Sequence, residues 1–247
     1  DIYMTKTAII TGCSKGIGLD TTKRLLALGY KVYGLARTAP EPKTDWQNDL
    51  FVFCPCDLLR TDDVTKIIAD IISQEESLDL LVNNAGIGLF GPHEQLSSKS
   101  ITQMLRLNLE VPILLTHSCL RAIKASKGCI LMVSSISAKS SAPHGCAYAA
   151  SKAGLSHFAD SLYDEVRKYG VRVSTISPDM TRTSFYDQAD FTCSDEIGAY
   201  ITSEQVADAI EYAITAEPEI CVREITLRPR INRIERKPFV RGQKTEE

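Results

Sequence analysis

Short, largely apolar segments rich in β-branched residues alternate with longer amphipathic ones along this chain. No other feature restricts its fold as much. Residues 5–11, 31–36, 50–54, 78–82, 129–133, 171–176 and 221–227 read as seven strands. Their apolar character is continuous, as in strands covered on both faces, rather than alternating as in strands with one wet face. Between them, 17–28, 61–73, 100–125, 147–168 and 203–215 carry helical periodicity. Gly29 and Gly170 sit just past two of these, where a helix end favours glycine, and Ser203-Glu204-Gln205 is an ordinary helix start. Repeated strand–helix alternation implies a parallel sheet with right-handed crossovers. The expected fold is therefore α/β: one doubly wound domain over 1–247, with a seven-stranded parallel sheet and helices on both faces.

Composition narrows the partners. The chain has 28 basic and 31 acidic residues, a formal charge of −3, which makes no electrostatic case for nucleic acid. No uncharged apolar run approaches the length of a membrane span, and the first apolar patch, 8–10, is too short for a secretory signal. Eight cysteines stand at 13, 54, 56, 119, 129, 146, 193 and 221. Only Cys54 and Cys56 are close, and no second pair offers metal-ligand spacing. Reduced thiols in a cytoplasmic protein, with no metal centre, are the expectation. Residues 228–247, with seven basic and three acidic side chains, read as a solvated basic tail.

The first strand runs directly into Thr11-Gly12-Cys13-Ser14-Lys15-Gly16-Ile17-Gly18, and a helix follows. Gly12 permits a tight turn, while Gly16 and Gly18 permit close approach of a phosphate and of helix to strand. The helix start then offers free N–H groups and the positive end of its dipole to an anion.

With that turn, the chain resembles the short-chain dehydrogenase/reductase family, and further motifs follow in order. Asn83-Asn84-Ala85-Gly86 closes the fourth strand and Asp57-Leu58 the third. Asn108 lies in the long helix between the fourth and fifth strands, and Ser135 precedes Tyr148-x-x-x-Lys152 by thirteen residues. The match spans roughly residues 5 to 228. It implies a Rossmann-like fold and hydride transfer between a nicotinamide and a carbonyl or secondary alcohol. Asp57 and Leu58 would read the adenine. Gly12, Ser14, Lys15, Gly16, Ile17 and Gly18 would hold the phosphates, and Asn83, Ala85 and Gly86 would continue the cofactor site.

Where relatives that use NAD carry an acid after the second strand, this chain has Arg37-Thr38, and Lys15 adds a second cation. A 2′-phosphate bonded to both would gain about 3 kcal/mol or more, so the expected cofactor is NADP(H). Tyr148 and Lys152 are one helical turn apart. A phenol working near pH 7 needs its pKa lowered by about 4 kcal/mol, which one ammonium at ~4 Å in a dielectric of ~20 supplies. The resemblance makes Tyr148 the acid/base, with Lys152 also on the nicotinamide ribose. Ser135 would hydrogen-bond the substrate oxygen, and Asn108 would hold a water of the proton relay. Pro178 and Thr183 match the family's loop around the carboxamide, but Asp179 replaces its glycine and Thr181 its hydrophobic residue, so that binding through the Thr181 N–H and Thr183 is what the resemblance implies. If the glycine position needs positive φ, Asp tolerates it better than most residues.

The rest says less. His117 and His157 read as packing or interface residues, while His93 and His144 lie in segments that should line the cleft. The methionines and aromatics follow core periodicity. Residues 183–203 should cover the substrate, mixing Phe185, Tyr186 and Phe191 with Asp187, Asp190, Asp195 and Glu196, with Arg182 at the border. The ending at 220–229 resembles that of the 3-hydroxy acid and serine dehydrogenase branch, which tilts the expected substrate toward a small hydroxy acid or ketone. A 3-oxoacyl-carrier-protein-type or steroid/xenobiotic carbonyl reductase, and a non-catalytic NADP-binding regulator, are the alternatives. Relatives pair through the helices at 100–125 and 147–168, implying a homodimer or homotetramer.

Overall fold

A computed structural model describes residues 5–41 and 49–237. The elements run β1 (Thr7–Thr11), α1 (Gly16–Ala27), β2 (Lys31–Ala36), β3 (Phe51–Pro55), α2 (Thr61–Gln74), β4 (Leu80–Asn83) and α3 (Ser98–Leu105). They continue with α4 (Val111–Ser126), β5 (Cys129–Val133), α5 (Cys146–Val166), β6 (Arg172–Pro178), β7 (Thr181–Arg182) and β8 (Phe191–Cys193). The chain ends on β9 (Ile201–Thr202), α6 (Ser203–Thr215), β10 (Glu224–Leu227) and β11 (Ile234–Arg236). Seven strands form one sheet in the order β10-β6-β5-β4-β1-β2-β3, every pair parallel.

The apolar strands are sandwiched as their composition requires. In β1, Ile9 points to one face while Ala8 and Ile10 point to the other; in β4 the same division separates Leu81 from Leu80 and Val82. One face is covered by α2, α4 and α5 through residues such as Ile68, Leu115 and Leu155. The other is covered by α1 and α6 through Leu25, Val206 and Ile210. Gly29 and Gly170 adopt the left-handed conformation (φ 80° and 79°) expected of them at helix ends. The start of α6 differs in detail. Thr202, not Ser203, is the cap, and it forms a capping box with Gln205.

The segment read as one helix over 100–125 is two, joined by a π-helical turn over Arg106–Glu110. The basic tail also departs from expectation. Its last described stretch is ordered: β11 pairs antiparallel with β8, Ile234 opposite Cys193 and Arg236 opposite Phe191. Residues 238–247 lie outside the described region. Among the described residues, no helix is long and apolar enough to cross a membrane.

Candidate active site

Strand order reverses at β1, which is flanked by β2 on one side and β4 on the other. In open parallel sheets a crevice forms at such a reversal, beyond the carboxyl ends of the strands. The glycine-rich turn fills that position. Gly12 (φ 71°) and Gly16 (φ 56°) are both left-handed. A Cβ on Gly18 would lie 2.0 Å from the Gly12 carbonyl oxygen, so only glycine lets α1 start so close to β1. A Cβ on Gly16 would meet the Thr183 methyl at 3.2 Å, which places the turn against the loop after β6. The start of α1 has no side-chain cap and no acid in its first turn, leaving its N–H groups available to an anion. Lys15, Arg37 and Thr38 are exposed around it, and among the described residues neither cation is held in an ion pair.

Asn84, not singled out in the sequence, ties the two sides of the crevice together. Its amide donates to the Thr11 carbonyl (2.9 Å), and the Thr11 hydroxyl accepts from the backbone N–H groups of Asn84 (3.1 Å) and Ala85 (3.0 Å). The Asn83 side chain turns inward instead, donating to the Thr116 hydroxyl in α4 at 3.3 Å. Asp57 is exposed beyond β3, where its carboxylate accepts from the Leu59 N–H, while Leu58 is buried in the core.

Asn108, Ser135, Tyr148 and Lys152 are all buried and gather at the carboxyl ends of β4 and β5. Asn108 sits in the π-helical turn, a distortion that often marks functional sites. Its side chain clamps Ile87, accepting from the N–H and donating to the carbonyl at 2.9 Å each, and also donates to the Ser151 hydroxyl (3.1 Å). Pro112, four residues on, has no N–H to give the Asn108 carbonyl. Gly86 lies between the partners: a Cβ there would be 3.1 Å from Asn108 Oδ1 and 3.4 Å from Lys152 Nζ.

The proton affinities differ from those the Tyr148–Lys152 spacing predicts. Burial pushes the Tyr148 phenol up to about 12, opposed only by a hydrogen bond with Ser135. Burial likewise pulls the Lys152 ammonium down to about 8. The Lys152 Nζ stands 5.9 Å from the Tyr148 ring centroid and donates to the Val133 carbonyl at 2.9 Å. Desolvation of both groups therefore outweighs their attraction, and Ser135 is the group that eases the phenol's ionisation.

At the end of β6, Pro178 is buried, and Asp179 just beyond it does not adopt positive φ. Instead its carboxylate accepts from the Met180 N–H (2.7 Å) and from Arg228 (3.2 Å). The Thr181 hydroxyl donates back to the Asp179 carbonyl, its backbone is hydrogen-bonded to the Tyr186 hydroxyl, and Thr183 caps the short turn Ser184–Tyr186. That turn brings Phe185 and Tyr186, expected in the substrate cover, over the site, where they meet Phe90, an aromatic that core periodicity alone does not distinguish. Phe90 and Phe185 lie 5.3 and 5.7 Å from the Tyr148 ring, and Tyr186 and Phe191 stack on behind Phe90 at 6.2 and 5.1 Å. Gly88 lies beneath two of them; a Cβ there would be 2.5 Å from Phe90 and 2.6 Å from Phe185. The chain segment around β11 holds this cover down. Lys237 Nζ donates to the carbonyls of Tyr186 (2.6 Å) and Asp187 (2.8 Å), and Ser194 donates to Glu235 (2.6 Å). His93 and His144 are exposed, and the His144 carbonyl accepts from Gly91 at the rim. His117 and His157 are exposed on α4 and α5.

Known proteins match the chain over most of its length. The family model described as short chain dehydrogenase matches residues 6–192. An uncharacterized oxidoreductase of Escherichia coli, YbbO, is 33% identical over 224 residues, covering 87% of this chain and 83% of its own. The serine 3-dehydrogenase of Agrobacterium fabrum is 29% identical over 235 residues, covering 92% and 94%. Among solved structures, a metagenomic short-chain oxidoreductase in complex with NADP superimposes with a TM-score of 0.75 at 27% identity, covering 92% of this chain and 98% of its own. The switch-point crevice, the glycine turn that only glycines can make, and these matches along most of its length lead to one conclusion: the chain belongs to the short-chain dehydrogenase/reductase family of oxidoreductases.

Proposed function

We propose that the protein is an NADP(H)-dependent oxidoreductase that interconverts a carbonyl compound and an alcohol, with Tyr148 as the acid/base. The observation that carries this reading is the placement of a buried tyrosine hydroxyl against the Ser135 hydroxyl, one helical turn from Lys152, at the mouth of the switch-point crevice. Fit to the cofactor is supported by a cradle in which added methyl groups would clash, by uncapped N–H groups of α1, and by Lys15 and Arg37, which form no ion pair among the described residues. In that reading the turn from Gly12 to Gly18 holds the pyrophosphate, with Ser14 and Ile17 contributing. Arg37, Thr38 and Lys15 hold the 2′-phosphate. Asp57 and Leu58 face the adenine, the backbone at Asn83, Ala85 and Gly86 lines the middle, and Pro178, Thr181 and Thr183 close over the carboxamide.

When bound, the nicotinamide supplies or accepts the hydride. The chain's own residues handle the oxygen and the proton. Ser135 donates to the substrate oxygen and shares the charge that develops there. Tyr148, kept protonated by burial, gives its proton to that oxygen in reduction and takes it back in oxidation. Lys152 holds the nicotinamide ribose and restrains the phenolate while it lasts. The Asn108 carbonyl, without an N–H four residues on, is the acceptor available to a water that returns the proton.

A non-catalytic regulator would not require Ser135, Tyr148, Lys152 and Asn108 to be buried and mutually placed. Pairing of two or four copies through α4 and α5 belongs to the same proposal, supported by Leu114, which is exposed on α4. Eight free thiols favour a reducing, cytoplasmic setting. The deciding experiment replaces Tyr148 with Phe. NADPH oxidation with carbonyl compounds should stop while NADPH binding, followed by its fluorescence, persists. Retained turnover in Tyr148→Phe would remove the tyrosine from the reaction.

A further inference from the structure

Aromatic rings crowd the buried Tyr148, and the cations Lys152, Arg182 and Lys237 around them already have partners. Phe90 and Phe185 meet edge to face at 6.4 Å and each contacts the Tyr148 ring, so the carbons beside a substrate oxygen presented to Tyr148 would lie against these rings. Met104 is buried in the same cluster, with Ile87 and Leu89 packed against it.

A carboxylate beside the reacting carbon would need a cation to replace its hydration. Arg182, the arginine that borders the pocket, is paired with Asp195 at 2.8 Å, donates to the Ser194 carbonyl, and lies over the Tyr200 ring at 3.6 Å. Lys237 is committed to two backbone carbonyls. The cover itself contributes Asp187 and Asp190, which add charge of the wrong sign.

We infer that the substrate is an uncharged ketone or aldehyde, or the matching alcohol, bearing an aromatic or bulky apolar group that Phe90 and Phe185 receive. A small hydroxy acid, toward which the chain's ending points, would find Arg182 and Lys237 already engaged. This inference rests on the carbonyl–alcohol reading above but makes a separate claim. Aromatic rings prefer offset or edge-to-face partners, and the Phe90–Phe185 pair already displays that geometry.

The test uses the full-length protein with NADPH and two ketones, acetophenone and acetoacetate. Acetophenone should be reduced with a kcat/KM at least tenfold higher, about 1.4 kcal/mol. Phe185→Ala should shrink that ratio toward parity, and Phe185→Leu, which keeps apolar volume and guards against a folding defect, should restore part of it. Equal or better turnover of acetoacetate, or a ratio unchanged in Phe185→Ala, overturns the inference and leaves hydride transfer standing. If neither ketone is reduced although NADPH binds, titration of both onto the NADP⁺-loaded protein decides the matter. Binding of acetophenone alone supports the aromatic pocket and counts only against the reaction; binding of acetoacetate, or of neither, overturns the pocket.

Discussion

Gly18 shows how little freedom some residues leave. A single methyl group would stand 2.0 Å from a backbone oxygen, a distance no side-chain adjustment relieves. Arg37 is the opposite case: exposed and unpaired among the described residues, it is free for a ligand. If Arg37 reads a 2′-phosphate as proposed, replacing it with Asp removes one charge-assisted bond and adds repulsion. The preference for NADPH over NADH should fall by at least about tenfold, as read from the two dissociation constants. An unchanged ratio would show that Arg37 does not read the phosphate. The spacing of Tyr148 and Lys152 told correctly that they share a helix face. It could not tell their proton affinities, because those depend on how much water reaches each group, and that is fixed by Phe90 and Phe185 arriving from distant segments.

Elements long enough to bury a face were legible, and shorter ones were not. The seven sheet strands and α1, α2, α5 and α6 follow from periodicity because each packs apolar side chains against one or both cores. The two- and three-residue strands β7, β8, β9 and β11 carry no period, and their partners lie up to about forty residues away. The π-helical turn at 106–110 also escaped, since one residue of slippage barely disturbs a helical pattern over 26 positions. Pro112 was its one visible sign. The capping box that starts α6 is a local device with a local cost. Thr202→Ala should lower unfolding stability by about 1 kcal/mol in denaturant titration, with turnover nearly unchanged. A loss of several kcal/mol would mean that Thr202 also secures β9 against β7.

For the molecule as a whole, cofactor crevice and substrate cover differ in how they are held. The crevice is built into a parallel sheet buried on both sides, whereas the cover depends on one short antiparallel pairing, β8 with β11, and on Lys237. Segments held by few buried contacts open at lower free energy than the core. Amide exchange should therefore be faster at 191–193 and 234–236 than in β1, β4 and β5, and Ile234→Pro should accelerate it at 191–193 and at 235–236 while leaving β1, β4 and β5 unchanged. Uniform protection across all five strands would refute this. The pairing also has a bearing on the order of assembly. Residues 5–183 already contain the glycine turn, Tyr148, Lys152 and the loop that meets Gly16, but the strand that pins the cover arrives only after α6 and β10 have been added. A growing chain of this kind possesses its nucleotide cradle well before it possesses the means to choose among substrates.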